Sequence, residues 1–101
     1  MFIAQVRGNV VATQKVGKIE GRKLLLVEPF GLEETPTPQL KRTGRALVAI
    51  DTVGAGNGEY VLVTQGSSAR QTDITHDLPI DAVIIGIIDK VNLGAEVIYV
   101  K

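Results

Sequence analysis

Between Asp51 and Arg70 the chain reads DTVGAGNGEYVLVTQGSSAR, which sets three glycines two apart, then a glutamate and an apolar run, then two serines ahead of an arginine. Three chemistries use such parts: a phosphate cradle, a serine nucleophile, and a close contact between backbones. A dinucleotide cradle needs G-x-G-x-x-G between a strand and a helix, so that phosphate meets free helix amides. Here Gly54, Gly56 and Gly58 are evenly spaced and lead into an apolar, strand-like run. A P-loop needs lysine and a hydroxyl residue directly after its last glycine, whereas Gly58 is followed by Glu59 and Tyr60. Neither cradle fits. A hairpin connection whose glycines supply positive φ fits better, and Ala55 between Gly54 and Gly56 makes a tip with almost no side chain. Such a tip suits close approach of another backbone, from a neighbouring chain or a ligand.

The serines carry no better case for catalysis. A nucleophile elbow reads G-x-S-x-G, but residues 65–70 read QGSSAR, and the one histidine, His76, follows closely in TDITHDLP. Local proximity of Ser67, Ser68, His76 and Asp77 is not a triad. Asp73, His76, Asp77 and Asp81 match no metal-ligand spacing. The basic cluster KRTGR, residues 41–45, reads as a solvated loop, because a single-strand binding patch needs stacking aromatics and the chain has only Phe2, Phe30, Tyr60 and Tyr99. No cofactor, metal site or catalytic group is expected.

Composition narrows the classes further. At 101 residues the chain supports one domain, residues 1–101, with one modest core. Lysine plus arginine and aspartate plus glutamate number 11 each, so no net field draws the protein to nucleic acid or anionic lipid. The absence of cysteine removes disulfides, thiolate metal sites and thiol nucleophiles. The start, MFIAQVRGNVVAT, sets Arg7 and Asn9 inside its first apolar stretch and lacks the layout of a leader, so an unsecreted, cytoplasmic protein is expected. The run from Ala82 to Ile88 is far shorter than the ~20 residues of a membrane helix, and no membrane partner is expected.

The elements that position these residues are short, rich in Val and Ile, and separated by glycine-bearing turns, the pattern of a small all-β barrel or sandwich. The pattern predicts strands over residues 2–13, 22–28, 44–51, 59–65, 81–91 and 96–100. KVGKIEG turns the first pair and NLGA the last. Residues 29–44, with three prolines and mixed charge, read as an exposed connection. SSARQT is the one helix candidate, capped by Ser67 or Ser68. In DAVIIGIIDK, strict alternation puts Val83, Ile85 and Ile87 on one face and Ile84, Gly86 and Ile88 on the other, so both faces are apolar. KLLLVEP and EYVLVTQ do the same. A second subunit laid over the outward Ile84 and Ile88 is one cover; a strand that curls and buries both sides within its own barrel is the other.

Taken together, D-x-V-G-A-G-x-G-E-x-V and G-S-S-A-R in DTVGAGNGEYVLVTQGSSARQT resemble the paired motifs of the EutN/CcmL family of bacterial microcompartment vertex proteins. IAQVRGNVVATQK, LLLVEP and PIDAVIIGIID are similar to that family too, in the same order; the stretch 29–44 is longer than expected of its shorter members. The resemblance implies an OB-like five-stranded β-barrel with one short helix, assembled as a cyclic homopentamer. It implies a structural role, capping five-fold vertices of a shell against hexameric tiles, with an axial opening. The assembly surfaces or axial lining would then fall on Gly54, Ala55, Gly56, Gly58 and Glu59 in the tip, Ser67, Ser68 and Arg70 at the helix, and Ile84 and Ile88 on the strand. Two other classes bear on the same residues: an OB-fold module binding single-stranded nucleic acid, and a small hydrolase using Ser67 or Ser68.

Overall fold

Eight strands follow one another along the chain: β1 (Phe2–Asn9), β2 (Leu24–Glu33), β3 (Gln39–Arg42), β4 (Leu47–Asp51), β5 (Tyr60–Gln65), β6 (Ala82–Ile87), β7 (Lys90–Leu93) and β8 (Glu96–Val100). The computed structural model describes residues 1–12, 23–66 and 81–101. The helix expected over residues 67–72 lies outside the described residues, and no α-helix occurs among those that are described.

Five strands close on themselves in the order β1-β5-β6-β4-β2, and β2 returns to β1. Closure removes the exposed edges that an open sheet of this size would present. All pairings in the ring are antiparallel except β4 with β6. Alternate side chains fill the inside: Ala4 and Val6, Leu25 and Val27, Ala49, Val61 and Val63, Ala82 and Ile84. Valine and isoleucine suit a pleated strand that is buried on at least one face, and each buried side chain of this kind stabilises the fold by about 1.5–3 kcal/mol. Alanine at Ala4, Ala49 and Ala82 keeps the narrow interior from being overfilled.

Three expectations are corrected. First, residues 29–44 are not a bare connection. β2 runs on through Pro29 to Glu33 and folds back as β3, with Phe30 opposite Arg42 and Glu33 opposite Gln39. Pro29 marks the point of exchange: the pairing of β2 with β1 ends at Ala4–Pro29, and its pairing with β3 starts one residue later. A residue without an N–H suits the place where one ladder is given up and another begins. Second, the predicted strand 81–91 is two strands. It breaks at Ile88 and Asp89, where the Ile88 amide donates to the Tyr60 carbonyl at 2.8 Å and the Asp89 carbonyl accepts from the Lys101 amide at 2.8 Å. β7 then pairs with β8 as a separate two-stranded sheet.

Third, Ile84 and Ile88 do not face outward. Opposite β5, Leu62 pairs with Gly86 and Val63 with Ile84, so Ile85 is an extra residue in β6. Such a bulge shifts the alternation by one. Ala82, Ile84 and Ile87 therefore share the core face, which strict period two does not allow. Ile84 is fully buried and Ile88 is 8% exposed within the single chain. Val83, opposite Ile50 on the outer side, is buried too. Of the two covers for a two-faced strand, the single chain supplies its own at Val83, Ile84 and Ile88.

Candidate assembly surface

The tip between β4 and β5 is wired by its own two carboxylates. Asp51, the last residue of β4, turns its side chain into the loop, where Oδ1 accepts from the amides of Val53 at 3.0 Å and Gly54 at 3.1 Å, and Oδ2 from the amide of Ala55 at 2.9 Å. That side chain is 1% exposed, with Lys23 Nζ 3.8 Å from Oδ2. Lys23 also donates to the Ala55 carbonyl at 3.2 Å, which ties the start of β2 to the same loop. An aspartate before a glycine-rich turn is a common acceptor for the amides that follow, which is the signal by which sequence reasoning could have found Asp51.

Glu59 closes the other end. Its Oε1 accepts from the Gly56 amide at 2.6 Å, and its Oε2 lies 2.6 Å from Lys101 Nζ. These partners hold the Glu59 carboxyl below its ordinary range, the Lys101 hydrogen bond being the larger cause. Gly58 donates its amide to the Val6 carbonyl at 2.8 Å and its carbonyl accepts from Gln5 Nε2 at 3.0 Å, while Glu59 O accepts from the Val6 amide at 2.9 Å. The loop is thereby hydrogen-bonded onto β1. Only two tip glycines need left-handed backbone, Gly54 with φ 76° and Gly58 with φ 84°. Gly56 does not, and a Cβ placed there would meet Glu59 Oε1 at 3.4 Å, an ordinary contact. The expectation that every tip glycine supplies positive φ is corrected at Gly56. Ala55 is corrected as well: its methyl is 1% exposed and belongs to the core cluster, so it caps the end of the barrel instead of meeting a neighbour.

A second carboxylate that the sequence reading passed over sits on the outer side of β2. Glu28 is 3% exposed. It accepts from Arg42 Nε at 3.2 Å on both oxygens and from the Gly44 amide at 2.9 Å, with Arg7 Nε 3.8 Å away. Arg42 first, then the Gly44 amide, lower its carboxyl below the ordinary value. Its signal was an acid inside the apolar run LLLVEP, which needs a cationic partner if it is to be buried. Two of the three cations of KRTGR have acidic partners: Arg42 serves Glu28, and Lys41 pairs with Glu33 at 3.5 Å. Phe30, Tyr60 and Tyr99 pack on one another, with ring centroids 5.1 and 4.3 Å apart, and leave no open row of stacking faces for bases.

The structure thus gathers Gly54, Ala55, Gly56, Gly58 and Glu59 into one braced loop, and places Ile84 and Ile88 in the barrel wall away from solvent. Ser67, Ser68 and Arg70 lie outside the described residues. Among the described residues no cluster of His, Cys, Asp and Glu could hold a metal, and no helix is long and apolar enough to cross a membrane. Part of what remains exposed is apolar. Leu32 is 52% and Val48 44% exposed, and a groove of about 330 Å³ opens between the β2–β3 and β7–β8 hairpins.

Known proteins match this chain along its length. The family model described as ethanolamine utilisation protein EutN/carboxysome covers residues 1–89. The bacterial microcompartment shell vertex protein EutN of Escherichia coli K12 is 42% identical over 101 residues, all of both chains. Among solved structures, CcmL of Nostoc sp. PCC 7120 superposes with a TM-score of 0.87 at 40% identity, covering all of both chains. The GrpN pentameric microcompartment shell protein of Rhodospirillum rubrum gives a TM-score of 0.72 at 45% identity over 92% of this chain and 99% of its own. With the closed barrel and the DTVGAGNGE loop in place, this chain belongs to the EutN/CcmL family.

Proposed function

We propose that this chain, as one domain over residues 1–101, forms homopentamers that cap the five-fold vertices of a bacterial microcompartment shell and pack against hexameric shell proteins. The observation that carries the reading is the end-to-end likeness to proteins named as shell vertex proteins, one of them solved as a pentamer. The physical features support it. The loop that the family motif encodes is held by internal hydrogen bonds and exposes Gly54, Gly56 and Gly58, which suits close packing of backbone against a neighbour. Zero net charge puts no strong self-repulsion in the way of a ring. The role is geometric rather than catalytic, the chain resides in the shell within the cytoplasm, and no cofactor enters it. The OB-type nucleic-acid reading is not favoured, since Lys41 and Arg42 of its basic cluster pair with acids and three of its four aromatics pack on one another.

Co-expression with hexameric shell proteins tests the proposal. Electron micrographs should show closed polyhedra when the chain is present and shells open at their corners when it is omitted. Equally closed shells in its absence would defeat the reading.

A further inference from the structure

We infer that Asn57–Gly58 is a site of spontaneous covalent modification: the chain converts Asn57 to aspartate and isoaspartate with loss of ammonia, at a rate set by how often the tip lifts off β1.

Three asparagines occur in the chain, and each is followed by a different residue: Val10 after Asn9, Gly58 after Asn57 and Leu93 after Asn92. The reaction that an asparagine undergoes unaided is attack by the next backbone nitrogen on its own side-chain amide. Base takes the Gly58 N–H proton, the nitrogen bonds to Asn57 Cγ, and the side-chain nitrogen leaves as ammonia, which closes a five-membered imide. Water then opens the imide at one carbonyl to give aspartate or at the other to give isoaspartate, and no oxidant or reductant enters. A side chain on the following residue crowds the attacking nitrogen, and glycine has none. Asn9 and Asn92 are also held in strand pairs, opposite Leu25 and Val97, whereas Asn57 is exposed between β4 and β5. Chemistry and exposure select the same asparagine.

The folded tip holds this pair in an unreactive pose. The Glu59 amide donates to the Gly56 carbonyl at 3.1 Å, closing a four-residue turn with Asn57 and Gly58 at its centre. Gly58 has φ 84°, and among the described residues only glycines have positive φ, so the turn is type II, with Asn57 ψ at about +120°. The imide ring closes only when that ψ reaches about −120°, the value at the first centre of a type II′ turn. Getting there turns the Asn57–Gly58 peptide over and takes the Gly58 amide off the Val6 carbonyl, 2.8 Å away. Gln5 Nε2, donating to the Gly58 carbonyl at 3.0 Å, clamps the same turn onto β1. The reaction therefore waits for a local opening of the loop, an equilibrium separate from global unfolding. Conversion adds a carboxylate to a loop that already holds those of Asp51 and Glu59. Isoaspartate also lengthens the main chain just before the Gly58 amide, so the bond to Val6 cannot re-form in the same geometry.

Peptide mapping by mass spectrometry of the full chain, held in mild alkali either folded or in guanidinium chloride, tests the site and the gate together. In denaturant, Asn57 should convert ahead of Asn9 and Asn92, with the mass gain of an amide replaced by an acid and both product isomers present. The folded protein should convert at the same residue at least about tenfold more slowly, because only the open tip reacts. Gln5→Ala, shown to be folded by circular dichroism, removes one clamp and should raise the folded rate several-fold while leaving the rate in denaturant unchanged. Asn57→Gln should abolish conversion at that position in both conditions. Equal conversion of the three asparagines in denaturant, or a folded chain that stays unconverted over many half-lives of the denatured one, would overturn the site. Equal folded and denatured rates, or a folded rate indifferent to Gln5→Ala, would overturn the gate.

Discussion

The two ends of this molecule solve opposite problems. At the β4–β5 tip, Asp51 and Glu59 together accept four backbone amides, and the loop needs nothing from outside to hold its shape. At the hairpin end, Leu32 stands half in water beside a groove lined by Leu40, Val91 and Leu93, with its apolar surface unsatisfied in the single chain. The first is satisfied within the chain, the second is not. The contrast teaches that a glycine-rich motif can be braced entirely within the chain, while the apolar surface left in water belongs to ordinary leucines and valines that no motif announces.

Breaking the tip should show how complete it is. Asp51→Ala removes the acceptor for three amides, the one of Ala55 in a part-buried bond, and should cost about 2–4 kcal/mol, a fall in Tm of roughly 10 °C by calorimetry. Asp51→Asn, which keeps one carbonyl acceptor, should lose distinctly less. Next in size, Gly54→Val at φ 76° should cost about 1–3 kcal/mol in backbone strain. Gly56→Ala, without positive φ, should leave Tm nearly unchanged, and a large loss there would refute the geometry of the loop.

A finer test uses pH. The Glu28 carboxyl is held below its ordinary value of 4.5 in the folded chain, so its stabilisation is fully present above that value and fades as pH falls through the lower, folded value. The wild type should lose Tm more steeply than Glu28→Gln as pH drops below about 4.5. Parallel curves would show that the Arg42 pair carries no linkage. The smallest effect belongs to Lys101→Ala. Its side chain is 48% exposed, and at physiological salt its loss should leave Tm within error. A clear drop would mean that the last residue braces the tip through Glu59.

Much of the barrel was legible because its strands are short, β-branched and punctuated by turns. Residues 59–65 and 96–100 nearly coincide with β5 and β8. What failed did so for local physical reasons. Period-two counting cannot see the extra Ile85, so it assigned Ile84 to the wrong face. Pro29 and its two companions looked like loop residues, although a proline is acceptable where a strand changes partners. Ala55 looked like an empty tip because a methyl is small, but a small group is what the closing end of a narrow barrel can hold. Glu28 and the groove depend on residues brought together from distant strands, and no spacing in the chain encodes their meeting.

The central claim is that this barrel works as one-fifth of a ring. Native mass spectrometry of the purified wild type at micromolar concentration tests it most directly. The account predicts a dominant species at five times the chain mass of 10.8 kDa. A spectrum of single chains, or of pairs without larger rings, would contradict it.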